Sequence, residues 1–337
     1  EAARRGIRVV LDASFNHTGA DSVYFDRFGN HPGLGAFEGG RIRPDSPYAS
    51  WYSFDASQTD PDRQFRGWVG VTDLPELDKH ARAWRDFAYG ATDAVTRVWL
   101  DRGAAGWRMD VAPWVPDDFW REWRAAVKAR DPQAITIAET WFDAAHYFVG
   151  DMFDSTMNYI FRNAVLDYAG GGDARQALAS LELMREHYPA PAFHALMNLL
   201  STHDQARSLH VLGWHDDVDA AQAARAKARY RLALLVQMSY PGAPAIYYGD
   251  DVGLTGGDDP DNRRPYPWAD EGGTPDEAML AEFRRLTALR HAHPVLRRGT
   301  LGAPLAVGDA HARHVIVLPR RLGEVLALTA YNNEDAP

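Results

Sequence analysis

The sequence predicts a parallel α/β fold, because short apolar segments alternate with longer segments of helical periodicity. Polar and ionisable residues also collect at the carboxyl ends of the apolar segments, as they do in parallel sheets that carry a site. Periodicity alone fits either an open doubly wound sheet or part of an eight-stranded barrel. A glycine-rich phosphate turn would favour the open sheet, but none follows residues 7–12.

Six segments have the length and apolar content of buried strands. Between them, apolar spacing predicts one helix from about Trp84 to near Gly103 and a second that opens at Pro116. Two more helices are expected over 218–239 and 276–292. The predicted strands are 7–12, 105–111, 134–139, 152–157, 196–201 and 244–247.

Two regions depart from this rhythm. The interval 18–80 is rich in Gly, Pro, Asp and aromatic residues and lacks a long helical period, which is typical of a functional insertion. After Pro294 the pattern changes to short β-like runs at 314–318 and 325–331. We expect these runs to begin a small β-domain.

Composition excludes several classes of protein. The formal net charge is −10 and no basic run occurs, so a nucleic-acid partner is not expected. No stretch approaches the roughly 18 apolar residues of a membrane span. The chain has no cysteine, which excludes disulfides, thiolate nucleophiles and cysteine-bound metals. A neutral substrate suits such an acidic protein.

Candidate site residues lie at the ends of four predicted strands. In a closed parallel barrel these ends form one rim, so we expect the residues to meet there. The histidines are expected to donate hydrogen bonds as neutral imidazoles rather than to bind a metal, because no HExxH motif or Asp-rich loop accompanies them. The residues are His17, Arg108, Asp110, Glu139, His203 and Asp204.

Three carboxylates in this set indicate glycoside cleavage. Arg108 and Asp110 are two apart and face the same side of a strand, so the guanidinium keeps Asp110 ionised as a nucleophile requires. Glu139 follows an apolar strand and precedes Trp141, so partial desolvation should raise its pKa and suit it to donate a proton. Two such carboxyls about 5–5.5 Å apart give retention of configuration. Asp204 would hold the sugar ring in a distorted shape.

These segments resemble the α-amylase family of glycoside hydrolases, and most of all the cyclomaltodextrinase, neopullulanase and maltogenic amylase group. The blocks 12–17, 106–110, Glu139 and 203–204 appear in the family's order. Further matches are the marker Leu74-Pro75-Glu76-Leu77-Asp78 in the insertion and the segments 241–250 and 259–265.

The resemblance implies a (β/α)8 TIM barrel that lacks its first two strands and carries an irregular insertion after the third. By it, residues 1–293 form the catalytic barrel with an insertion domain at 18–80, and residues 294–337 begin a truncated C-terminal β-domain. Asp110 becomes the nucleophile, Glu139 the general acid/base and Asp204 the transition-state stabiliser. His17, Arg108 and His203 line the glucose subsite, and Trp141 stacks on the leaving sugar.

The implied activity is retaining hydrolysis of α-1,4 bonds, with α-1,6 as a second linkage, in maltodextrins, cyclodextrins or related α-glucans. The alternatives are a maltodextrin glucosidase or an amylopullulanase and, from another class, a catalytically dead carbohydrate-binding barrel. Dead barrels lose catalytic carboxylates, whereas all three are present here. Residues 111–114 read Val-Ala-Pro-Trp where the group usually has an Asn-Glu pair, which leaves substrate preference open.

The resemblance also carries expectations about cofactor, partners and compartment. No cofactor is required, and calcium stays open because Asn16 resembles a calcium ligand of many α-amylases. The partner is an α-glucan, with neither nucleic acid nor membrane, and the full-length protein is expected to be a homodimer. We expect a cytoplasmic rather than a secreted protein whose native N-terminus is not present.

Overall fold

Short parallel strands form where the sequence places its apolar segments, and all six predicted strands are confirmed in the computed structural model, which describes residues 1–309 and 311–334. The first four strands form one parallel sheet in chain order, and the last two form a parallel pair. Their bounds are β1 (Val9–Ser14), β2 (Ala104–Asp110), β3 (Ile135–Ala138), β4 (Ser155–Thr156), β5 (Met197–Leu199) and β6 (Ala243–Ala245).

Helices fill the intervals between the strands. Three of the four predicted helices are confirmed, while the segments 159–169 and 174–187 form helices that the sequence pattern had not delimited. The helices of the described residues are α1 (Arg82–Arg85), α2 (Val95–Asp101), α3 (Asp117–Arg130), α4 (Tyr159–Ala169), α5 (Ala174–His187), α6 (Ala190–Ala195), α7 (Ser208–Val211), α8 (Ala220–Ser239), α9 (Glu277–Ala292) and α10 (Pro294–Arg298).

The continuous helix predicted from Trp84 to near Gly103 is wrong. Helix α1 runs into a π-helical turn, Asp86–Gly90, and the backbone becomes extended at Ala91 before α2 begins. A Cβ at Gly90 would lie 2.6 Å from Asp86 Oδ1, so a larger residue there would require the Asp86 side chain to move. The apolar spacing from which the helix was predicted continues across this break, so the sequence pattern does not reveal it.

The chain divides into two compact units. The first consists of Glu1–Thr140 with His146–Thr156, and the second of Trp141–Ala145 with Met157–Pro337. The boundaries predicted for the barrel, the insertion and the C-terminal β-domain stay predictions.

In the first unit, strand β2 separates a core face from a polar face. Trp107 and Met109 are buried, and Trp120 and Trp123 of α3 are fully buried with them in this unit. Arg108 and Asp110 occupy the alternate positions, as the period of two requires. Gly106 is required for close packing, because a Cβ there would lie 2.2 Å from the backbone oxygen of Ile135 in β3.

The insertion after β1 contains short 3₁₀ turns around an aromatic cluster and has no α-helix between residues 18 and 80, all of which the structure describes. Its two ends are held together by backbone hydrogen bonds from Thr18 N–H to the Pro75 carbonyl and from Leu77 N–H to the Asn16 carbonyl. Residues 76–79 therefore lie against residues 16–17. The cluster comprises Phe25, Phe37, Tyr52, Phe54 and Phe65.

The second unit joins helices to an antiparallel sheet. Helix α8 begins with a capping box in which the Asp219 carboxylate accepts N–H groups of the first turn. Strands β7 (Thr300–Leu301), β8 (Val315–Leu322) and β9 (Val325–Asn332) form the sheet in that order, which confirms both predicted β-runs. The buried Tyr331 hydroxyl and the Arg320 guanidinium both hydrogen-bond Ser239, and so anchor the sheet on α8.

None of the helices in the described part of the chain combines the length and the apolar character that a bilayer crossing demands.

Candidate active site

The register of β1, β2 and β3 aligns the predicted site residues of the first unit. Asp12 pairs with Arg108 and Ser14 with Asp110, so the polar ends of β1 and β2 lie side by side. Glu139 directly follows β3, and its backbone N–H donates to the Met109 carbonyl. Three sequence-distant acids therefore reach the same rim.

A single guanidinium contacts all three acids. Arg108 Nη1 donates to Asp12 Oδ1 at 2.9 Å and to Asp110 Oδ1 at 2.7 Å, and Arg108 Nη2 lies 3.2 Å from Glu139 Oε1. Because Asp110 and Glu139 contact one planar group, their carboxyls lie within the roughly 10 Å that glycosidase pairs span. We call Asp12, Arg108, Asp110 and Glu139 the strand-end cluster.

The two carboxyls differ in exposure. The Glu139 side chain is 5% exposed, whereas that of Asp110 is 27% exposed. Burial alone would lower the pKa of Arg108, but the carboxylates of Asp12, Glu139 and Asp110 raise it, so the guanidinium stays charged. One enclosed and one reachable carboxyl is the arrangement that a general acid and a nucleophile require.

Val111 provides a contact that the sequence analysis missed. Its backbone N–H donates to Glu139 Oε2 at 2.8 Å. To do so, it adopts a left-handed conformation with φ 43° and ψ 44°, which is unfavourable for a β-branched residue. Strain of this kind tends to persist at functional sites, and here the amide it orients fixes one oxygen of Glu139.

His17 lies in a half-buried position beside an aromatic wall. Its ring stacks on Trp68 with centroids 5.3 Å apart, and Trp114 meets Trp68 edge to face at 5.8 Å. Burial lowers the pKa of His17, with an opposing contribution from Asp110 and a supporting one from Lys79. The ring is therefore neutral at neutral pH, as the sequence analysis expected.

Asn16 does not fit a calcium ligand. It is fully buried, and the ammonium of Lys79 donates to its Oδ1 at 2.9 Å. The oxygen that would bind calcium is therefore already in contact with a positive charge. A second group of possible donors comprises Asp21, Asp26 and His31. Both Asp26 oxygens accept backbone N–H groups of the following turn, which gives this carboxylate a structural role of its own.

In the second unit, Asp204 lies on a short loop, residues 202–205, which we call the Asp204 loop. Asp204 N–H donates to Thr202 Oγ1, and His203 Nε2 lies 3.3 Å from Asp204 Oδ2. The fully buried Asn262 donates from Nδ2 to the carbonyls of His203 and Gln205, at 2.9 and 3.0 Å. The residues on either side of Asp204 are thus held by one amide.

A buried ion pair supports this clamp. Arg207 has no exposed surface, and it donates to Asp250 Oδ1 at 3.0 Å and to the Asn262 carbonyl at 2.9 Å. Its guanidinium also lies over the rings of Tyr247 and Tyr248. Burial raises the pKa of Asp250 to about 6 although Arg207 lowers it, so desolvation outweighs the pairing.

Trp141 presents an aromatic ring in the second unit. It is 43% exposed and stacks on Tyr159, with centroids 3.9 Å apart and planes 13° from parallel. An exposed ring held rigidly on one face is suited to contact the apolar face of a sugar.

The structure thus places His17, Arg108, Asp110 and Glu139 together in the first unit. It places Trp141, His203 and Asp204 in the second. That Asp204 approaches the Asp110–Glu139 pair stays a prediction. Sequence reasoning missed the roles of Asp12, Val111, Lys79 and Asn262. Asp12 was detectable from its place at a strand end, but the contacts of the other three depend on loops brought close by folding.

The chain matches the family model described as "Alpha amylase, catalytic domain" over residues 1–299. An amylopullulanase of Thermoanaerobacter thermohydrosulfuricus is 39% identical over 93% of this chain and 23% of its own length. A cyclomaltodextrinase of Bacillus sp is 33% identical over 98% of this chain and 55% of its own length. The chain therefore spans about a quarter to half the length of these curated relatives.

Among solved structures, the chain is similar to the cyclic α-maltosyl-(1→6)-maltose hydrolase of Arthrobacter globiformis, solved with cyclic α-maltosyl-(1→6)-maltose bound. The TM-score is 0.82 at 30% identity, over 98% of this chain and 68% of that one. A cyclomaltodextrinase gives a TM-score of 0.81 at 32% identity, over 99% of this chain and 53% of that one.

Proposed function

The chain belongs to the α-amylase family, and on that premise we propose that the full protein hydrolyses α-glucosidic bonds with retention of configuration. The proposed substrates are maltodextrins, cyclodextrins or related α-glucans, cut at α-1,4 and also at α-1,6 bonds. The observation that carries the proposal is the contact of Asp110 and Glu139 with the same guanidinium, that of Arg108.

In the proposed mechanism, Asp110 attacks the anomeric carbon while Glu139 protonates the leaving glycosidic oxygen. A covalent glycosyl-enzyme results, and the leaving sugar departs as an alcohol. Glu139, now ionised, takes a proton from water, and the resulting hydroxide displaces Asp110 from the anomeric carbon. Asp204 stabilises the positive charge that develops on the ring in both steps.

The contacts of the strand-end cluster suit these roles. Arg108 donates to Asp110 Oδ1 at 2.7 Å and so fixes the orientation of the proposed nucleophile. The Val111 N–H and Arg108 hold Glu139 at two different oxygens, which restricts its rotation before proton transfer. His17 and His203 are proposed to donate hydrogen bonds to sugar hydroxyls, and Trp141 to stack on the leaving sugar.

The substrate range is proposed from the similar proteins rather than from contacts within the site. The similar proteins include amylopullulanases, a neopullulanase and cyclomaltodextrinases. We propose an enzyme of the cyclomaltodextrinase or neopullulanase type, with amylopullulanase or maltodextrin glucosidase as the alternative. Relative rates on cyclodextrin, pullulan and linear maltodextrin with the full-length protein distinguish them. A cyclodextrin rate far below the maltodextrin rate would favour the alternative.

The experiment that tests the mechanism uses two variants and two leaving groups. Full-length Asp110→Asn should lose about 10⁴-fold or more in kcat on both nitrophenyl maltoside and maltodextrin, because nothing else attacks the anomeric carbon. Glu139→Gln should lose at least about 10²-fold in kcat/KM on maltodextrin but much less in kcat/KM on nitrophenyl maltoside, whose leaving group departs without a proton in the first step. Its kcat should fall on both substrates, because the second step lacks its base.

The matched control is Glu122→Gln, which removes a carboxylate in the same unit that hydrogen-bonds Tyr89 instead. It should keep the parental rates. NMR of the first-formed sugar should show the α anomer. Parental activity of Asp110→Asn, or a β product, would refute the proposal.

The remaining expectations concern the setting of the full protein. We propose an α-glucan as its partner, without nucleic acid, in keeping with the net charge of −10. The expectations of a cytoplasmic protein and of a homodimer rest on the family resemblance. Cell fractionation and light scattering of the full-length protein test them.

A further inference from the structure

Three side chains of the first unit form a row that ends at the proposed sugar-binding histidine. The ammonium of Lys79 donates to Asn16 Oδ1 at 2.9 Å, and Asn16 Nδ2 lies 3.2 Å from His17 Nδ1. Asn16 is fully buried, and Lys79 and His17 are half-buried. No role of Lys79 follows from the proposed reaction itself.

The donors in this row determine where the proton of His17 lies. An ammonium has only donors, so the Asn16 atom beside Lys79 must be the carbonyl oxygen. The amide nitrogen then faces His17, and because it too has only donors, His17 Nδ1 must accept with its lone pair. In a neutral ring the proton is therefore on Nε2.

We propose that Lys79 is a positioning residue that, through the orientation of Asn16, keeps the proton of His17 on Nε2. The inference rests on the proposed function, since it supplies an N–H donor for a sugar hydroxyl. Without the ammonium, the Asn16 amide can turn its oxygen toward His17. That orientation favours a proton on Nδ1 and leaves Nε2 as an acceptor.

The surroundings of the row support a fixed arrangement. Burial lowers the pKa of His17, so the ring stays neutral and has a defined tautomer. Burial also lowers the pKa of Lys79, while Glu76 and Asp78 raise it and Arg66 lowers it. Two carboxylates near one ammonium favour its charged form. The stacking of Trp68 on the His17 ring prevents the ring from turning freely.

The insertion explains how Lys79 reaches Asn16, which is 63 residues away in sequence. Backbone pairing of His17 with Glu76, and of Leu77 with Asn16, closes the insertion at its base. Lys79 follows that pairing by two residues. The insertion thereby places a charge beside Asn16, on the side of that amide away from the histidine.

The test observes the tautomer directly. In full-length protein with isotope-labelled histidine rings, the Cδ2 chemical shift distinguishes the two neutral tautomers, and a His17→Gln sample identifies the His17 signal. The parent should show Nε2–H. Lys79→Met should move the signal to Nδ1–H or to an average of the two.

Lys128→Met is the matched control. Lys128 is also a half-buried lysine of the first unit, and its ammonium contacts the Ala134 carbonyl and Asp154 rather than the row. This variant loses comparable contacts but should keep the parental His17 signal. A change in Lys128→Met equal to that in Lys79→Met would overturn the inference.

Asn16→Asp is an independent variant that keeps the Lys79 ammonium and can pair with it. It therefore tests the inference even if Lys79→Met fails to fold. A carboxylate offers His17 only acceptors, so in mildly alkaline buffer the signal should move to Nδ1–H. An Nε2–H signal in either Lys79→Met or Asn16→Asp, or an Nδ1–H signal in the parent, would overturn the inference.

Kinetics connect the tautomer to function. Lys79→Met should lower kcat/KM on maltodextrin about tenfold, the effect of one neutral hydrogen bond, while Lys128→Met should not. A tenfold loss without a tautomer change would overturn the inference. The ring signals are recorded without substrate, so they stand even if Asp110→Asn and Glu139→Gln show the proposed function to be wrong.

Discussion

The two regions that carry the proposed carboxylates are held by different kinds of interaction. In the strand-end cluster, Arg108 contacts Asp12, Asp110 and Glu139 through charge. In the Asp204 loop, the neutral amide of Asn262 donates to the backbone carbonyls on both sides of Asp204. In the first arrangement a cation contacts the acids themselves, whereas in the second the amide holds the backbone on both sides of Asp204, and the Asp204 carboxylate lies beside His203 and, at 3.9 Å, Arg263.

The difference reflects what each acid is proposed to do. The proposed nucleophile and acid/base contact one cation and differ in exposure, so loss of that cation changes the electrostatic surroundings of both acids at once. An acid that only stabilises developing charge needs a fixed place, and a backbone clamp provides it without altering its charge. Variants in the two regions should therefore differ in pH dependence as well as in size of effect.

The largest effect is expected from Arg108→Met. It leaves Glu139 buried without its cation, so unfolding free energy should fall by about 3–5 kcal/mol. The variant should also lose about 10²–10³-fold in kcat, and the pH profile of kcat/KM should change. Denaturant unfolding and pH-rate profiles of the full-length protein measure both.

Arg121→Met is the control, because Arg121 pairs with Asp117 and Asp151 on the surface of the same unit. It should cost no more than about 1 kcal/mol and leave the pH profile unchanged. If Arg108→Met kept the parental pH profile of kcat/KM, the proposed difference in pH dependence between the strand-end cluster and the Asp204 loop would be wrong.

An intermediate effect is expected from Asn262→Leu. Loss of both donors leaves two carbonyls without their clamp, so kcat should fall about tenfold to a hundredfold with little change in KM. The pH profile of kcat/KM should keep its parental shape, since no charge is removed. A shifted profile would mean that Asn262 acts on ionisation rather than on the position of Asp204.

The smallest effect on activity is expected from Asp250→Asn. The pKa of Asp250 in the fold is about 6, against 3.8 as the ordinary value, so between these pH values the native state binds more protons than the unfolded chain. Stability from this group therefore falls as pH rises through that window. The variant should lack this fall, which is on the order of 1–3 kcal/mol.

Thermal unfolding at several pH values measures the slope, and Asp251→Asn, at the neighbouring and less buried position, should keep the parental slope. A parental slope in Asp250→Asn would show that Arg207 and Asp250 form a conventional ion pair. In that case the second region would depend on charge as the first does.

Much of the fold followed from sequence patterns. The six parallel strands and the antiparallel β-runs near the C-terminus were predicted from apolar runs. The expected burial is confirmed for most residues of β2 but is wrong for β1 and β6, which contain no buried residue. The similarity to solved α-amylase relatives confirms the (β/α)8 class, which periodicity alone had left open beside a doubly wound sheet. The break after Gly90 was missed, since the apolar spacing continues through a π-helical turn and an extended Ala91 that interrupt the backbone helix.

The candidate site divides in the same way. The identities of Arg108, Asp110 and Glu139 were predicted, because strand ends and a period of two place them without knowledge of any loop. The sharing of Arg108 with Asp12 depended on the register of β1 against β2. The poor fit of Asn16 to calcium was not predicted, since it depends on Lys79, which the closed insertion brings back.

The sequence by itself determined which side chains reach the rim, because alternation along a strand and apolar burial are local properties. Only the tertiary structure decided their partners. The conformation of Val111, the clamp of Asn262 and the row from Lys79 to His17 each join segments far apart in the chain. Hydrogen bonds and charges act over a few ångströms, so they are fixed only when folding brings such segments together.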